Sequence, residues 1–271
     1  MYSFKDFKQR STDVIESPHQ LIYDGMNIDE ELTTDTTSFT TLIVSGRGMS
    51  QRKHLVDEQD GIDGSAFEAV NYLPRTLNVK ARVSATSNTA FRGLMERLNL
   101  IFSGRNEVEI KFSDETHHYI GHYLSSSQPE EVSNEQVIEF EFYCGNPFKY
   151  TDKKTLVIEN GATLTGLETD YPVKPVINFK YAEGVKDVTI TNTLTSKVLY
   201  VNASSTTTEF LVELDLSISE NRNIFGLISR NNLRHLSLNS DLADFTLSKR
   251  DRLVIQPAPS EIKLSYRGVK L

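Results

Sequence analysis

The sequence contains no tryptophan, one cysteine and no apolar run near the roughly 20 residues that a membrane-spanning helix needs. A single cysteine excludes an internal disulfide, and because Cys144 lies in an alternating apolar row we predict that it is a core residue. Residues 1–13 are charged and lack the apolar core of a secretory signal. We therefore expect a soluble protein that is made in a cytoplasm and does not insert into a membrane.

Clustered positive charge is also scarce. The formal net charge is −8, and the longest basic run, Ser248–Arg252, is interrupted by Asp251. Proteins that grip nucleic acids cluster lysine and arginine on the phosphates. The sequence therefore argues against a nucleic-acid-binding function, and we interpret residues 248–252 as a solvated turn.

An amphipathic helix, followed directly by three strands, is the clearest feature of the N-terminal half. Its apolar residues recur at helical spacing and are Phe91, Leu94, Met95, Leu98, Ile101 and Phe102. Ser87, Asn88 or Thr89 can cap its start, and Gly104 can adopt the left-handed turn that ends it. A helix of this length does not stand alone in water, so we expect it to pack on a sheet.

Four segments with period-two alternation supply that sheet, and they are Leu77–Val83, Val108–Phe112, His117–Leu124 and Ile138–Cys144. Charged residues alternate with the apolar rows in most of them. Such alternation is typical of antiparallel sheets that are buried on one face only. The N-terminal half is therefore predicted to be one helix packed on a mostly antiparallel sheet.

The segment at residues 46–70 is polar and too long for a tight turn. We predict that residues 49–65 form a long exposed loop or a protruding hairpin. Short strands at Leu21–Tyr23 and Thr41–Val44 precede this segment, and the strand before the helix follows it. Its acidic residues do not match a calcium-binding EF-hand loop, because with Gly64 in the glycine position the twelfth residue is Val70 rather than glutamate. We interpret them as solvated.

The C-terminal half is predicted to consist almost entirely of short strands. These are Ile177–Tyr181, Val188–Ile190, Val198–Tyr200, Phe210–Leu216, Leu253–Ile255 and Ile262–Tyr266. Turn signals at Glu183–Gly184, Asn192–Thr193 and Asn202–Ser204 separate them, and Asn221–His235 is either a short helix or a loop. Short strands at regular spacing predict a β-sandwich or jelly roll.

We place the linker between the two halves at Lys153–Gly166, where polar and turn residues concentrate. The predicted domains are residues 1–151 and 152–271. The fold class is mainly β, with one packed helix.

No constellation of catalytic, cofactor-binding or metal-binding residues stands out. His118 and His122 share a strand face but lie about 13 Å apart at roughly 3.3 Å per residue, too far for one zinc ion without another segment. The segment Gly46–Gly48 lacks the lysine and hydroxyl of a phosphate loop, and no G-x-S-x-G elbow occurs. Carboxylates are plentiful, but no glycosidase-like pair is singled out. We predict no enzyme, cofactor or metal, and assign no ligand-binding residues.

The order of these elements resembles the distal tail protein (Dit) family of siphophages that infect Gram-positive bacteria. The resemblance rests on the helix and on the strands that follow it, EVEIKF, YIGHY and IEFEFYCGNPFKY. VSGRGMSQ, DGIDGSAFEAVNYLPRTLNVKARV and the C-terminal IKLSYRGVKL extend it over nearly the whole chain. Lys249–Arg252 stands where family members often have a Gly-Asn turn, which leaves the geometry of that turn open.

This resemblance implies a structural protein at the distal end of the virion tail. The N-terminal domain would be tail-tube-like and build a hexameric ring, and the C-terminal domain would be a galectin-like sandwich. Implied partners are the major tail tube protein, the tail-associated tip protein and, as a further candidate, a receptor-binding protein. DNA would only pass through the ring.

Two other function classes remain open. A galectin-like sandwich is compatible with a carbohydrate-binding adhesin, although the absence of tryptophan removes the best surface for stacking a sugar ring. A hydrolase with carboxylates from distant segments is the third class. A particle of about six chains would favour the ring, and saturable glycan binding by the C-terminal half would favour the adhesin.

Overall fold

In a computed structural model, the chain divides into two compact units, Met1–Pro147 and Phe148–Leu271. The structure describes residues 17–57, 63, 65–127, 133–214 and 236–271, without the side chains of 203–205. Within these residues, no helix is long and apolar enough to cross a membrane. The predicted segment Asn221–His235 lies outside the described residues.

The first unit is an antiparallel β domain with one long helix. Its elements are β1 (Leu21–Tyr23), β2 (Met26–Asn27), α1 (Ile28–Glu31), β3 (Thr37–Ser45), β4 (Arg52–Asp57), β5 (Ala66–Tyr72), β6 (Arg75–Ala85), α2 (Asn88–Phe102), β7 (Val108–Phe112), β8 (His118–Ser126) and β9 (Glu135–Cys144). Seven of the strands pair in the order β3–β6–β9–β8–β7–β1–β2, and every pair is antiparallel. The predicted fold class, mainly β with antiparallel sheets, is confirmed.

Helix α2 packs its apolar face against this sheet, as its periodicity predicts. Its buried residues are Phe91, Leu94, Leu98 and Phe102. The Phe102 ring makes edge-on contacts with Tyr23 and Phe142, at centroid distances of 5.1 and 5.5 Å, and stacks on Tyr123 at 5.2 Å. The last turn of the helix therefore lies at the centre of an aromatic cluster that joins three strands.

The two ends of α2 agree only partly with expectation. Ser87 caps the start, and its side chain accepts a hydrogen bond from the Ala90 amide. The predicted left-handed turn at Gly104 is wrong, because the helix ends at Ser103 in the right-handed conformation. The Ser103 hydroxyl donates to the Leu100 carbonyl at 2.8 Å, which satisfies a group that a left-handed turn would otherwise satisfy.

The short helix α1 was not predicted, and a buried carboxylate explains its position. Asp29 is 6% exposed and accepts hydrogen bonds from the amides of Leu21 and Thr41, at 3.0 and 2.6 Å, and from the Thr41 hydroxyl at 2.7 Å. One side chain therefore ties α1 to β1 and β3. Strand β3 begins at Thr37, four residues before the start predicted at Thr41.

The second unit contains β10 (Lys149–Ile158), β11 (Val176–Asn192), β12 (Lys197–Glu213), β13 (Leu253–Gln256) and β14 (Glu261–Lys270). The strand order is β10–β14–β11–β12, and β13 pairs with the second half of β11. All of these pairs are antiparallel. The core includes Phe179 and Phe210, whose rings stack at 5.1 Å.

Two predicted turns in the second unit are wrong, because β11 and β12 are each 17 residues long and run through them. The pairing shifts register on either side of the Val185–Thr207 pair. Glycine and polar residues mark a bulge as well as they mark a turn, and sequence alone does not distinguish the two. The predicted turn at Asn192–Thr193 is present, between the two strands.

The predicted linker at Lys153–Gly166 is also wrong in its first half. Strand β10 extends to Ile158 and pairs with β14 along its length. The sequence of β10 shows no regular alternation of apolar and polar residues, because both faces of the strand are only partly buried and carry lysines and threonines. The units separate at residue 147, four residues before the predicted boundary.

The basic run at Ser248–Arg252 contains one buried residue. Asp251 is 3% exposed and accepts hydrogen bonds from the Asn192 side-chain amide at 2.7 Å and from the Ser248 amide at 2.9 Å. Lys249 and Arg250 are exposed, as a solvated turn requires. The interpretation of the run as solvated is therefore wrong for Asp251, which shapes the turn from inside.

Packing of α2 makes a specific prediction about stability. Leu98 is 2% exposed and Leu100 is 74% exposed on the same helix. Leu98→Asp should lower the free energy of unfolding of the first unit by about 3 kcal/mol or more, because a carboxylate would be buried without a partner. Leu100→Asp is the matched control and should change it little. Equal thermal denaturation curves for the two variants would contradict this packing.

Pairing of β10 with β14 makes a second prediction, about fragments. Residues 148–271 should fold alone, with one cooperative melt followed by circular dichroism. Residues 160–271 should be clearly less stable, because removing β10 leaves one side of β14 unpaired. Equal stability of the two fragments would show that β10 does not belong to this unit.

Candidate interaction surface

The described residues contain no group of three His, Cys, Asp or Glu side chains that could hold a metal. His118 is 1% exposed and pairs with Lys111 of β7, and His122 is partly buried four residues further along β8. Cys144 is a buried free thiol, and burial raises its pKa to about 12. A neutral thiol suits the predicted core role.

Strands β4 and β5 form a separate two-stranded hairpin. Within the described residues they pair only with each other, from Arg52–Tyr72 at the base to Asp57–Ala66 near the tip. The sequence predicts either a loop or a protruding hairpin for this segment. The antiparallel pairing of β4 with β5 is that of a hairpin. Most of the acidic tip lies outside the described residues.

One face of the hairpin is apolar and exposed. Val56 pairs with Phe67 and His54 with Val70, and the register shift between these pairs, which skips Glu68, keeps the four side chains on the same face. The His54 and Phe67 rings lie 6.2 Å apart. Val56 is 44% exposed and Phe67 64% exposed, so nothing in the described part of the chain covers them fully.

The base of the hairpin requires glycine at position 46. Gly46 has a φ of +86°, and a Cβ atom there would lie 2.1 Å from the Thr76 carbonyl oxygen. A side chain is excluded both by the backbone conformation and by this contact. Strand β3 can therefore turn into the hairpin only because residue 46 is glycine.

The Arg75 guanidinium holds the residues that lead into the hairpin. It donates to the Gly46 and Gly48 carbonyls at 2.8 Å each, to the Ser50 hydroxyl at 2.6 Å and to the Pro147 carbonyl at 3.0 Å. Arg75 is 5% exposed. Because the guanidinium is rigid and planar, these four bonds fix the direction in which the hairpin leaves the domain.

A second arginine attaches the same segment to the turn after β7. Arg47 donates two hydrogen bonds to the Asp114 carboxylate, at 2.8 and 3.0 Å, and its guanidinium lies over the Phe112 ring. His19 also contacts Asp114 at 2.9 Å. Partial burial raises the pKa of Asp114, but the hydrogen bonds and charges of Arg47 and His19 outweigh it, and the net pKa is lowered.

Strand β3 offers a different surface, at the edge of the main sheet. Among the described residues, β3 pairs only with β6, so its other side has no strand beside it. The pairing shifts register between Thr41 and Ile43. Leu42 and Ile43 are 43% and 58% exposed there. The first unit therefore presents two distinct apolar surfaces, one on the hairpin and one on an edge strand.

A family model described as the phage tail protein RIFT-related domain matches residues 28–144. No curated protein matches the chain. Among solved structures, the chain is similar to the Dit protein of phage SPP1, described as a paradigm of the hub adsorption apparatus in phages that infect Gram-positive bacteria. The TM-score is 0.70 and the identity 22%, over 93% of this chain and 99% of that one.

Chains from the baseplate of phage P2 in its activated conformation are also similar. The structure with calcium gives a TM-score of 0.52 at 10% identity, and the structure with strontium gives 0.54 at 9%. Each alignment covers 92% of this chain and 97% of the other. At such identities the likeness concerns the fold. Together with the family match, it confirms the predicted resemblance to siphophage distal tail proteins.

Arg75→Lys tests the anchoring of the hairpin. Lysine keeps the charge but cannot form the four-way contact, so hydrogen exchange of the amides at residues 46–51 should become at least about tenfold faster. Arg92→Lys, at an exposed position on α2, is the control. Unchanged exchange in the Arg75 variant would show that other contacts fix the hairpin base.

Acid sensitivity provides another test, at Asp114. Because the folded-state pKa of Asp114 lies below its ordinary value of 3.8, its contribution to stability is present above that value and is lost as the pH falls through the folded-state pKa. Asp114→Asn should therefore destabilise the protein near neutral pH and lose less stability than the wild type on acidification. Chemical denaturation at several pH values measures the difference. Parallel curves for the two proteins would contradict the assignment.

Proposed function

We propose that this chain is a hub of the tail tip, at the distal end of the tail, because residues 28–144 match a family model described as the phage tail protein RIFT-related domain. Six copies form a ring that joins the tail tube to the tail-associated tip protein. DNA passes through the ring during infection. The likeness to a hub protein and to baseplate chains supports this assignment.

The observation that carries the proposal is the exposed hairpin β4–β5. A two-stranded hairpin is at best marginally stable in water unless it packs against something else. Here Val56 and Phe67 are exposed on its apolar face, while Arg75 fixes its base. A rigidly directed hairpin with an uncovered apolar face suits a contact with another subunit.

We assign the second copy of this chain as that partner and β3 as its receiving surface. The hairpin of one copy lies along the outer edge of β3 in the next, where Leu42 and Ile43 are exposed. This contact covers apolar side chains on both partners and pairs backbone groups that an edge strand leaves open. The two surfaces differ, so the contact is head to tail, and such contacts close into rings when the rotation fits.

The net charge agrees with a channel through which DNA passes. Affinity for DNA comes mainly from lysine and arginine neutralising phosphates. A chain with a formal charge of −8 offers little of this attraction. DNA can therefore move through a ring of such chains without being held. The tail tube protein binds one side of the ring and the tip protein the other, and a receptor-binding protein is a further partner.

Charge on the apolar face of the hairpin tests the ring. Phe67→Asp should convert a hexamer into folded monomers, because a carboxylate would be buried at every contact. Mass is measured by light scattering, and particle shape by negative-stain imaging. Leu194→Asp is the control, because Leu194 is also 64% exposed but lies in the second unit.

The design separates loss of assembly from loss of folding. The Phe67 variant should keep the wild-type circular dichroism spectrum and melting temperature of the monomer, since its side chain supports no buried core. A Phe67→Asp protein that still forms wild-type rings would remove the hairpin from the contact. A wild-type protein that stays monomeric even with the tail tube protein added would contradict the ring itself.

A further inference from the structure

A polar groove with a volume of about 440 Å3 lies in the second unit, on the strand pair β11–β12. Asp187 pairs with Asn202 and Thr189 with Tyr200, so these four side chains lie on one face of the pair. Their neighbours Val188 and Val201 lie on the other face and are buried in the core. The alternation of the strands thus places the polar residues together outside the core.

The segment after residue 236 forms the remaining wall of this groove. The Ser237 amide donates to the Tyr200 carbonyl at 2.9 Å, and the Tyr200 amide donates to the Ser240 hydroxyl at 2.9 Å. These bonds hold the segment against the edge of β12. The side chains of Ser237 and Asn239 therefore line the groove from a fixed backbone.

The groove combines an aromatic ring with a dense set of hydrogen-bonding groups. Tyr200 is 43% exposed, so part of its ring is available to a ligand. The Asp187 carboxylate accepts a hydrogen bond from the Asn202 amide at 2.6 Å, which fixes its orientation. A carboxylate has further lone pairs, and the hydroxyls of Thr189 and Ser237 can both donate and accept.

We propose that this groove binds a neutral saccharide. A pyranose ring presents apolar C–H groups on a face and hydroxyls around its edge, which match an exposed phenol ring beside a carboxylate, an amide and hydroxyls. The volume falls within the usual range for ligand sites, roughly 300–1,000 Å3. The lining described for the groove contains Asp187 and no lysine or arginine, so anionic sugars are disfavoured.

This assignment concerns the second unit and does not depend on the ring. Tyrosine takes the stacking position for which the sequence offers no tryptophan. A hub with this groove would contact sugars as well as tail proteins.

The test is a calorimetric titration of the full-length chain with maltose, lactose and N,N′-diacetylchitobiose, with glucuronic acid as the anionic comparison. At least one neutral disaccharide should bind saturably, and glucuronic acid should bind at least about tenfold more weakly. Tyr200→Ala should weaken binding about tenfold, in line with the loss of one aromatic contact, and Tyr200→Phe should retain it. Asp187→Asn should weaken binding because a charged acceptor becomes a weaker one.

Leu194→Ala, in the turn between β11 and β12 but outside the groove lining, is the control and should bind as the wild type does. Circular dichroism of each variant shows whether it is folded. The absence of saturable binding by all three disaccharides would overturn the proposal. Binding that Tyr200→Ala and Asp187→Asn leave unchanged would also overturn it, because the sugar would then occupy a different site.

Discussion

The hydrogen bonds of one buried arginine hold the segment that leads from the main sheet of the first unit into its hairpin. Arg75 begins β6 in the main sheet and bonds to three backbone carbonyls and one hydroxyl around it. A buried guanidinium is costly unless its donors are satisfied, so these carbonyls are held where they are. The route of the chain from β3 into the hairpin follows from that constraint, and Gly46 is the residue that permits it.

The two units bury their apolar side chains in different ways, and their surfaces differ as a result. In the first unit, α2 covers the apolar face of the sheet, and the hairpin is left outside with an apolar face of its own. In the second unit, the strands enclose one core and leave a polar groove on β11–β12. The first arrangement suits contact with protein, and the second suits a hydrated ligand.

The periodicity of apolar residues predicts α2, the strands around it and the antiparallel class of the sheet, because burial on one face leaves a regular apolar pattern. It failed where polar residues lie inside a strand or inside the core. Gly184 predicts a turn but lies within β11, and Lys153 falls in the predicted linker but lies within β10. Asp29, Arg75 and Asp251 carry no local signal, since each also bonds to a different element of the fold. The groove was missed for the same reason.

Disulfide trapping between chains tests the central claim most directly. Cys144 is buried, so new surface cysteines can be oxidised selectively. A Phe67→Cys chain is mixed with a Leu42→Cys chain, and mild oxidation should give a mixed dimer in which the hairpin of one chain is bonded to β3 of the other. The same two substitutions in one chain should give a ladder that ends at six. Dimers of Phe67→Cys with itself in place of mixed dimers, or no crosslinking within intact rings, would contradict the head-to-tail contact.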